Sequence, residues 1–240
     1  MKKITLFFSF LMIAFAVSAQ SVFINEIHYD NSGGDLNEGV EIAGPAGTDL
    51  TGWALELYNG SNGDLYNTVA LSGVIDDEGA SGYGALNFAI ASIQNGGPDG
   101  IALIDAGSNV VQFLSYEGSF TADADNGGVA GAAGTTSTDI GVVESGATTS
   151  TQSLQLQGTG EEYTDFAWAA DIAQSFGDIN AGQTFMAPVP PTPGQFTECA
   201  TDNPQAINDF TPVTSVVTLT QPGVVGAMTD QNTFDNVLVD

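Results

Sequence analysis

Leu55-Glu56-Leu57-Tyr58-Asn59-Gly60-Ser61-Asn62-Gly63-Asp64-Leu65-Tyr66-Asn67-Thr68-Val69 is the stretch that decides the fold. Two apolar runs flank a tip holding two Asn-Gly pairs, the dipeptide that most readily takes the positive φ of a tight hairpin turn. The segment reads as a β-hairpin. Outward from it the same grammar repeats. Val22–His28, Gly39–Ile42, Trp53–Tyr58, Asp64–Leu71, Ile101–Asp105, Val110–Ser115 and Ser153–Leu156 are strand-sized, and Gly, Asn, Ser and Asp turns punctuate them. Short strands with frequent turns and no helical stripe imply an all-β sandwich or barrel. Gly84–Ser92 leaves room for a helix between flanking glycines. Residues 119–138, poor in large apolar side chains, read as one long exposed loop, with structure resuming at Asp139–Val143.

Residues 1–19 read as a secretory signal peptide. Lys2 and Lys3 form the basic start, Ile4–Ala16 the apolar run, and Val17-Ser18-Ala19 a small-residue cleavage site. The apolar run is too short to span a bilayer, which takes roughly 20 residues. The expected location is therefore extracellular, with no membrane insertion after cleavage. Residues 20–187 form the first domain, long enough to bury a core. A Pro-rich spacer over 188–195 leads to a tail, 196–240, read as the incomplete start of a second β domain. Cys199 is the single cysteine of a chain bound for an oxidising compartment, so it is either a free thiol or pairs beyond Asp240.

The charge is one-sided. The two leader lysines are the only cationic side chains besides His28, against 29 Asp plus Glu, and removing them takes the net charge from -27 to -29. Charged residues make up 13% of the chain, against about 25% in ordinary domains, so cations are missing and acids are not in excess. Nucleic acid is excluded as a partner of this segment, because phosphate affinity comes mainly from Lys and Arg.

Three motifs in order carry a family resemblance: Ile24-Asn25-Glu26-Ile27, Gly39-Val40-Glu41-Ile42 with a Gly44-Pro45 turn, and Leu50-Thr51-Gly52-Trp53-Ala54-Leu55. Gly97-Pro98-Asp99-Gly100-Ile101-Ala102-Leu103, Phe113–Gly118 and Ser137–Val142 continue it. Over about residues 22–185 the chain resembles the lamin-tail domain family in its secreted bacterial form. The resemblance implies an immunoglobulin-like β-sandwich and a non-catalytic module found beside nuclease, phosphatase or protease domains. The tail, at Ala206–Asp209, Val213–Thr218 and Phe234–Asp240, is similar to the first strands of a P domain.

Candidate chemistry is sparse. His28 is the one available general base, and no G-x-S-x-G or similar motif supports it; a strand side chain that is solvent-facing or hydrogen-bonded is the plainer reading. Glu26, His28 and Asp30 alternate along one strand face, a spacing that suits a metal but lacks further His or Cys ligands. Glu26 and Glu41 could pair as glycosidase carboxylates, although both fall within the family motifs. Trp53, Trp168, Tyr58 and Tyr66 could stack on a sugar, with Trp53 better read as core. Asp123-Ala124-Asp125-Asn126-Gly127 offers alternating oxygens, and Asp123 and Asp125 are the calcium candidates. The twelfth position from Asp123 is Gly134, so the loop is no EF-hand. Asp76-Asp77-Glu78 and Asp30 with Asp35 are similar clusters, and solvated acidic turns are the plain alternative. The expected function is a non-catalytic accessory or interaction module with a protein or cell-surface partner. The alternatives are part of an extracellular hydrolase whose catalytic domain lies elsewhere, or a calcium- or glycan-binding module.

Overall fold

The computed structural model describes residues 21–125 and 131–186, which belong to the first of two units, Met1–Ala187. The leader, the Pro-rich spacer, Cys199 and the tail lie outside the described residues. The strands are β1 (Phe23–His28), β2 (Gly39–Pro45), β3 (Ala54–Asn59), β4 (Asp64–Ala70), β5 (Tyr83–Ala89), β6 (Asp99–Ile104), β7 (Val110–Tyr116), β8 (Thr138–Asp139), β9 (Gln152–Gly160), β10 (Phe166–Ala173) and β11 (Gln183–Phe185). They form two sheets, ordered β10-β9-β1-β2-β5 with β11 on β9, and β4-β3-β6-β7-β8. Pairing is antiparallel except for β7 with β8 and β9 with β11.

The opening hairpin forms as its residues require. Leu55 pairs with Val69 and Leu57 with Asn67, and one bulge at Leu57/Tyr58 absorbs the long tip. Ile24, Ile27, Val40, Ile42 and Leu154 of the first sheet share one buried cluster with Leu55, Leu57, Ile101, Leu103 and Leu114 of the second. The result is all-β and sandwich-like.

The outer faces are covered as well. Over the first sheet, Phe185 and Phe166 pack on Phe23, Tyr83 and Leu156. Over the second, Phe120, Ala122 and Ala132 pack on Tyr58, Ala102 and Phe113. Strands buried on both faces lose the in/out alternation of a half-exposed sheet, and β1 and β6 are buried at every residue.

Two expectations change. Gly84–Ser92 leaves room for no helix: Tyr83–Ala89 is β5, an edge strand paired with β2 from Gly39↔Ala89 to Pro45↔Tyr83. The flanking β-sheet register outweighed the weak local preference. The described residues of 119–138 are not exposed throughout. Among them, Thr121 bridges to Thr136, and Phe120, Ala122, Ala132 and Ser137 are buried. The small side chains of Ala122 and Ala132 let the chain approach the sheet closely at those positions, while neighbours such as Thr121 and Thr136 stay exposed.

The hairpin tip helps to hold it. Gly63 has φ of +81, and a Cβ there would meet Asp123 N and Thr121 O at 2.7 Å. Only glycine combines that dihedral with that contact.

Candidate functional site

β1 carries the buried polar residues Asn25, Glu26 and His28. Glu26 and Glu41 are direct partners across β1 and β2, and neither side chain is exposed. Glu26 takes hydrogen bonds from Ser153 Oγ (2.6 Å), Gln155 Nε2 (3.2 Å) and Ser175 N (3.1 Å). Glu41 takes them from Asn25 Nδ2 (2.9 Å) and Gly177 N (2.7 Å). Glu78, at the 3-10 turn Glu78–Ala80, accepts from Ile179 N at 2.6 Å and Ala85 N at 2.7 Å. Three glutamates thus hold the alternate amides of Ser175, Gly177 and Ile179, and bind residues 174–182 across the first sheet. Asn180 completes the fastening by donating to Asn25 O and Leu156 O.

Burial raises the pKa of both carboxyls. For Glu41 it reaches about 8, with the Asn25 hydrogen bond opposing and the Glu26 charge adding. For Glu26 burial again dominates over its hydrogen-bond donors. No Lys or Arg exists past Lys3 to supply a counter-charge.

At the end of β1, His28 is fully buried. Its Nδ1 lies 2.7 Å from Glu144 Oε1, and its Nε2 faces Leu36 O at 3.1 Å and Asn31 Oδ1 at 3.3 Å. Asn31 Oδ1 also accepts from Leu36 N, so it is an acceptor in fact. Both ring nitrogens therefore face oxygens, the arrangement of an imidazolium. Burial pulls the His28 pKa down, but the hydrogen bond and charge of Glu144 outweigh it and leave it raised. Glu144 also takes Tyr29 N (2.6 Å) and Asp30 N (2.8 Å) on Oε2. Its own amide donates to Tyr29 Oη.

These geometries decide what the residues can do. A triad histidine aims Nε2 at a nucleophile; here Nε2 aims at two carbonyl oxygens. A glycosidase needs its two carboxyls on either side of a sugar; Glu26 and Glu41 lie beneath residues 174–182. The expected Glu26-His28-Asp30 face does not assemble. Glu26 and His28 stay in regular register opposite Glu41 and Gly39, but Glu26 turns to Ser153 and Ser175, and His28 turns to Glu144. Asp30 is held by Asn95 Nδ2 at 3.3 Å. Among the described residues no group of three or more His, Cys, Asp and Glu is placed to hold a metal ion.

Other candidates fall in turns. Asp123 Oδ1 accepts from Asp125 N at 2.8 Å, and Asn126–Gly127 lie outside the described residues. Asp77 accepts from Gly82 N. Asp35 takes Asn31 N and Asn95 Nδ2. Trp53 and Trp168 are half-buried against the core, Trp168 donates to Tyr163 Oη, Tyr58 is buried, and Tyr66 Oη accepts from Gln94 N.

Sequence reasoning missed Glu144, Ser175 and Asp99, and read Glu78 only as part of an acidic cluster. Asp99 is buried, takes Gly60 N at 3.0 Å on Oδ1, and leaves Oδ2 without a partner. Burial, with Glu117 adding, pushes its pKa up to about 6. The available signal was general: in a chain without cations, each internal acid needs N–H donors, and glycine- and serine-rich turns supply them. Among the described residues no helix is long and apolar enough to cross a membrane. No family model, no curated protein and no solved structure matches the chain.

Proposed function

We propose that residues 20–187 are a lamin-tail-like, immunoglobulin-like β-sandwich that serves as a non-catalytic accessory module of a secreted multidomain protein, attaching it to a protein or cell surface. The observation that carries this reading is where the chemistry-bearing residues go. His28, Glu26, Glu41 and Glu144 are each fully or almost fully buried, and each is consumed in fastening a loop to a strand. Glu26 and Glu41 belong to the first two motifs of the resemblance, so the motif glutamates have a structural use here. The net charge of -29 on the mature chain directs the attachment toward cationic protein surfaces and away from anionic lipid and nucleic acid.

The purified mature chain, assayed for phosphodiesterase, phosphatase, peptidase and glycosidase turnover, should show none. Turnover that co-purifies with the chain and disappears in a folded His28→Gln variant would overturn the reading. Binding to intact cells of the producing species should fall steeply as salt rises, since the attraction is screened within about 8 Å at 0.15 M.

A further inference from the structure

Residues 174–182 connect β10 to β11 and lie over β1 and β2. Their contact with the sheet is mostly polar. Ser175 N, Gly177 N and Ile179 N go to Glu26, Glu41 and Glu78 in turn. Ser175 Oγ lies 2.9 Å from both Glu26 Oε2 and Asn180 Oδ1. Phe176 supplies an apolar contact by resting over Gly39, where a Cβ would come within 3.5 Å of its ring.

Two of the three acceptors are a carboxyl pair directly opposed across an antiparallel ladder. Two buried like charges at such positions repel strongly unless one is neutral. A counter-charge is not available from this chain. His28, the one cation of the mature sequence, is engaged by Glu144. The strands β9 and β11 contribute no titratable side chain to this face. The remaining charged groups are all acidic: Glu78 at the 3-10 turn, Asp171 on β10, held by Thr148 Oγ1, and Asp178 on the connecting segment itself. Tyr83 lies on the flanking edge strand β5, where Glu161, Glu162 and Asp165 act on it.

We propose that residues 174–182 are a proton-held strap, closed while the Glu26–Glu41 pair carries a proton and lifted when both members are ionised. In the closed state the pair presents one negative charge to three strap donors. In the doubly ionised state the pair gains a second charge under cover, and the strap's weak neutral donors do not offset it. Lifting the strap brings water to both carboxylates and uncovers the polar face of β1 and β2. The pKa of Glu41, raised to about 8, places the change on the alkaline side of neutral.

The test uses the full mature chain, labelled with nitrogen-15. Amide protection factors of Ser175, Gly177 and Ile179 are followed from about pH 6 to about pH 10, with Ile42 and Leu57 as core references. Above about pH 8 the three strap amides should lose protection about tenfold per pH unit while the references hold, since opening is linked to one proton. Glu41→Gln should flatten that loss. Glu26→Gln, which removes the same repulsion from the other side, is the second variant if the first does not fold. Independently, the infrared carboxylic-acid C=O band should be present at about pH 7 and fall sharply in Glu41→Gln, leaving only the minor share of Asp99. Strap amides that track the core, a folded glutamine variant with the wild-type pH profile, or absence of that band would each overturn the proposal.

Discussion

Glu144 shows what an acid does in a chain without lysine or arginine. It closes on His28 through one oxygen and on the amides of Tyr29 and Asp30 through the other, so both its oxygens are engaged inside the protein. Replacing it with alanine leaves His28 Nδ1, the buried Tyr29 amide and the half-buried Asp30 amide without their acceptor. Glu144→Ala should cost about 3–5 kcal/mol in urea denaturation. Asp99 is the opposite case, since burial opposes its charge and Oδ2 has no partner. Its folded pKa of about 6 lies above the ordinary 3.8. The stability it contributes is therefore complete below about pH 3.8 and is lost as pH rises through about 6. Asp99→Asn keeps an acceptor for Gly60 N and removes the buried charge. That variant should be more stable than the parent by about 1–3 kcal/mol at pH 7 and equal to it near pH 3.5.

At the scale of elements, loops are built into the structure by glutamates in or beside the strands. Glu38 takes Ser92 N and Ile93 N, and Glu56 takes Gly131 N. The second of these fixes the segment that covers the outer face of β3, β6 and β7. Phe120 is its apolar anchor, meeting Phe113 edge-on at 5.5 Å. Phe120→Ala should cost about 3–5 kcal/mol by thermal or chemical melting, the loss expected of a core aromatic. A loss under about 0.5 kcal/mol, normal for an exposed loop, would show that the cover is not packed.

For the whole molecule, the titrations mostly share one sign. Glu26, Glu38, Glu41, Asp99 and His28 have raised pKa values in the fold. Raised groups contribute stability that is present below their unfolded pKa and is lost as pH climbs through the folded one. Asp49, Asp105 and Asp165 are lowered by local hydrogen bonds and act in the other sense, losing their contribution as pH falls. The balance favours a stability maximum near about pH 5, and the denaturation midpoint should fall from there to about pH 8. Self-repulsion among 29 acids adds to this trend. The melting temperature should rise between about 0.01 M and 0.15 M NaCl, as the screening length shrinks from about 30 to about 8 Å. Trypsin should find no site beyond Lys3 even after unfolding, because no Lys or Arg follows it.

Local chemistry was enough for the hairpin at residues 55–69 and for the other strands rich in β-branched or aromatic residues, because turn dihedrals and strand propensity are properties of neighbours in the chain. The same locality explains what stayed hidden. Tyr83–Ala89 and Phe166–Ala173 are rich in alanine and become strands through the register of β2 and β9. The cover at 119–138 depends on a surface that exists only after β3, β6 and β7 have paired. His28 and Glu26 were visible as chemical groups, but their partners Glu144 and Ser175 lie 116 and 149 residues away. Composition alone determined that the chain has almost no internal cations. Only the tertiary structure decided that its buried acids would be met by backbone amides, since a hydrogen bond to an N–H requires the fold that brings it there.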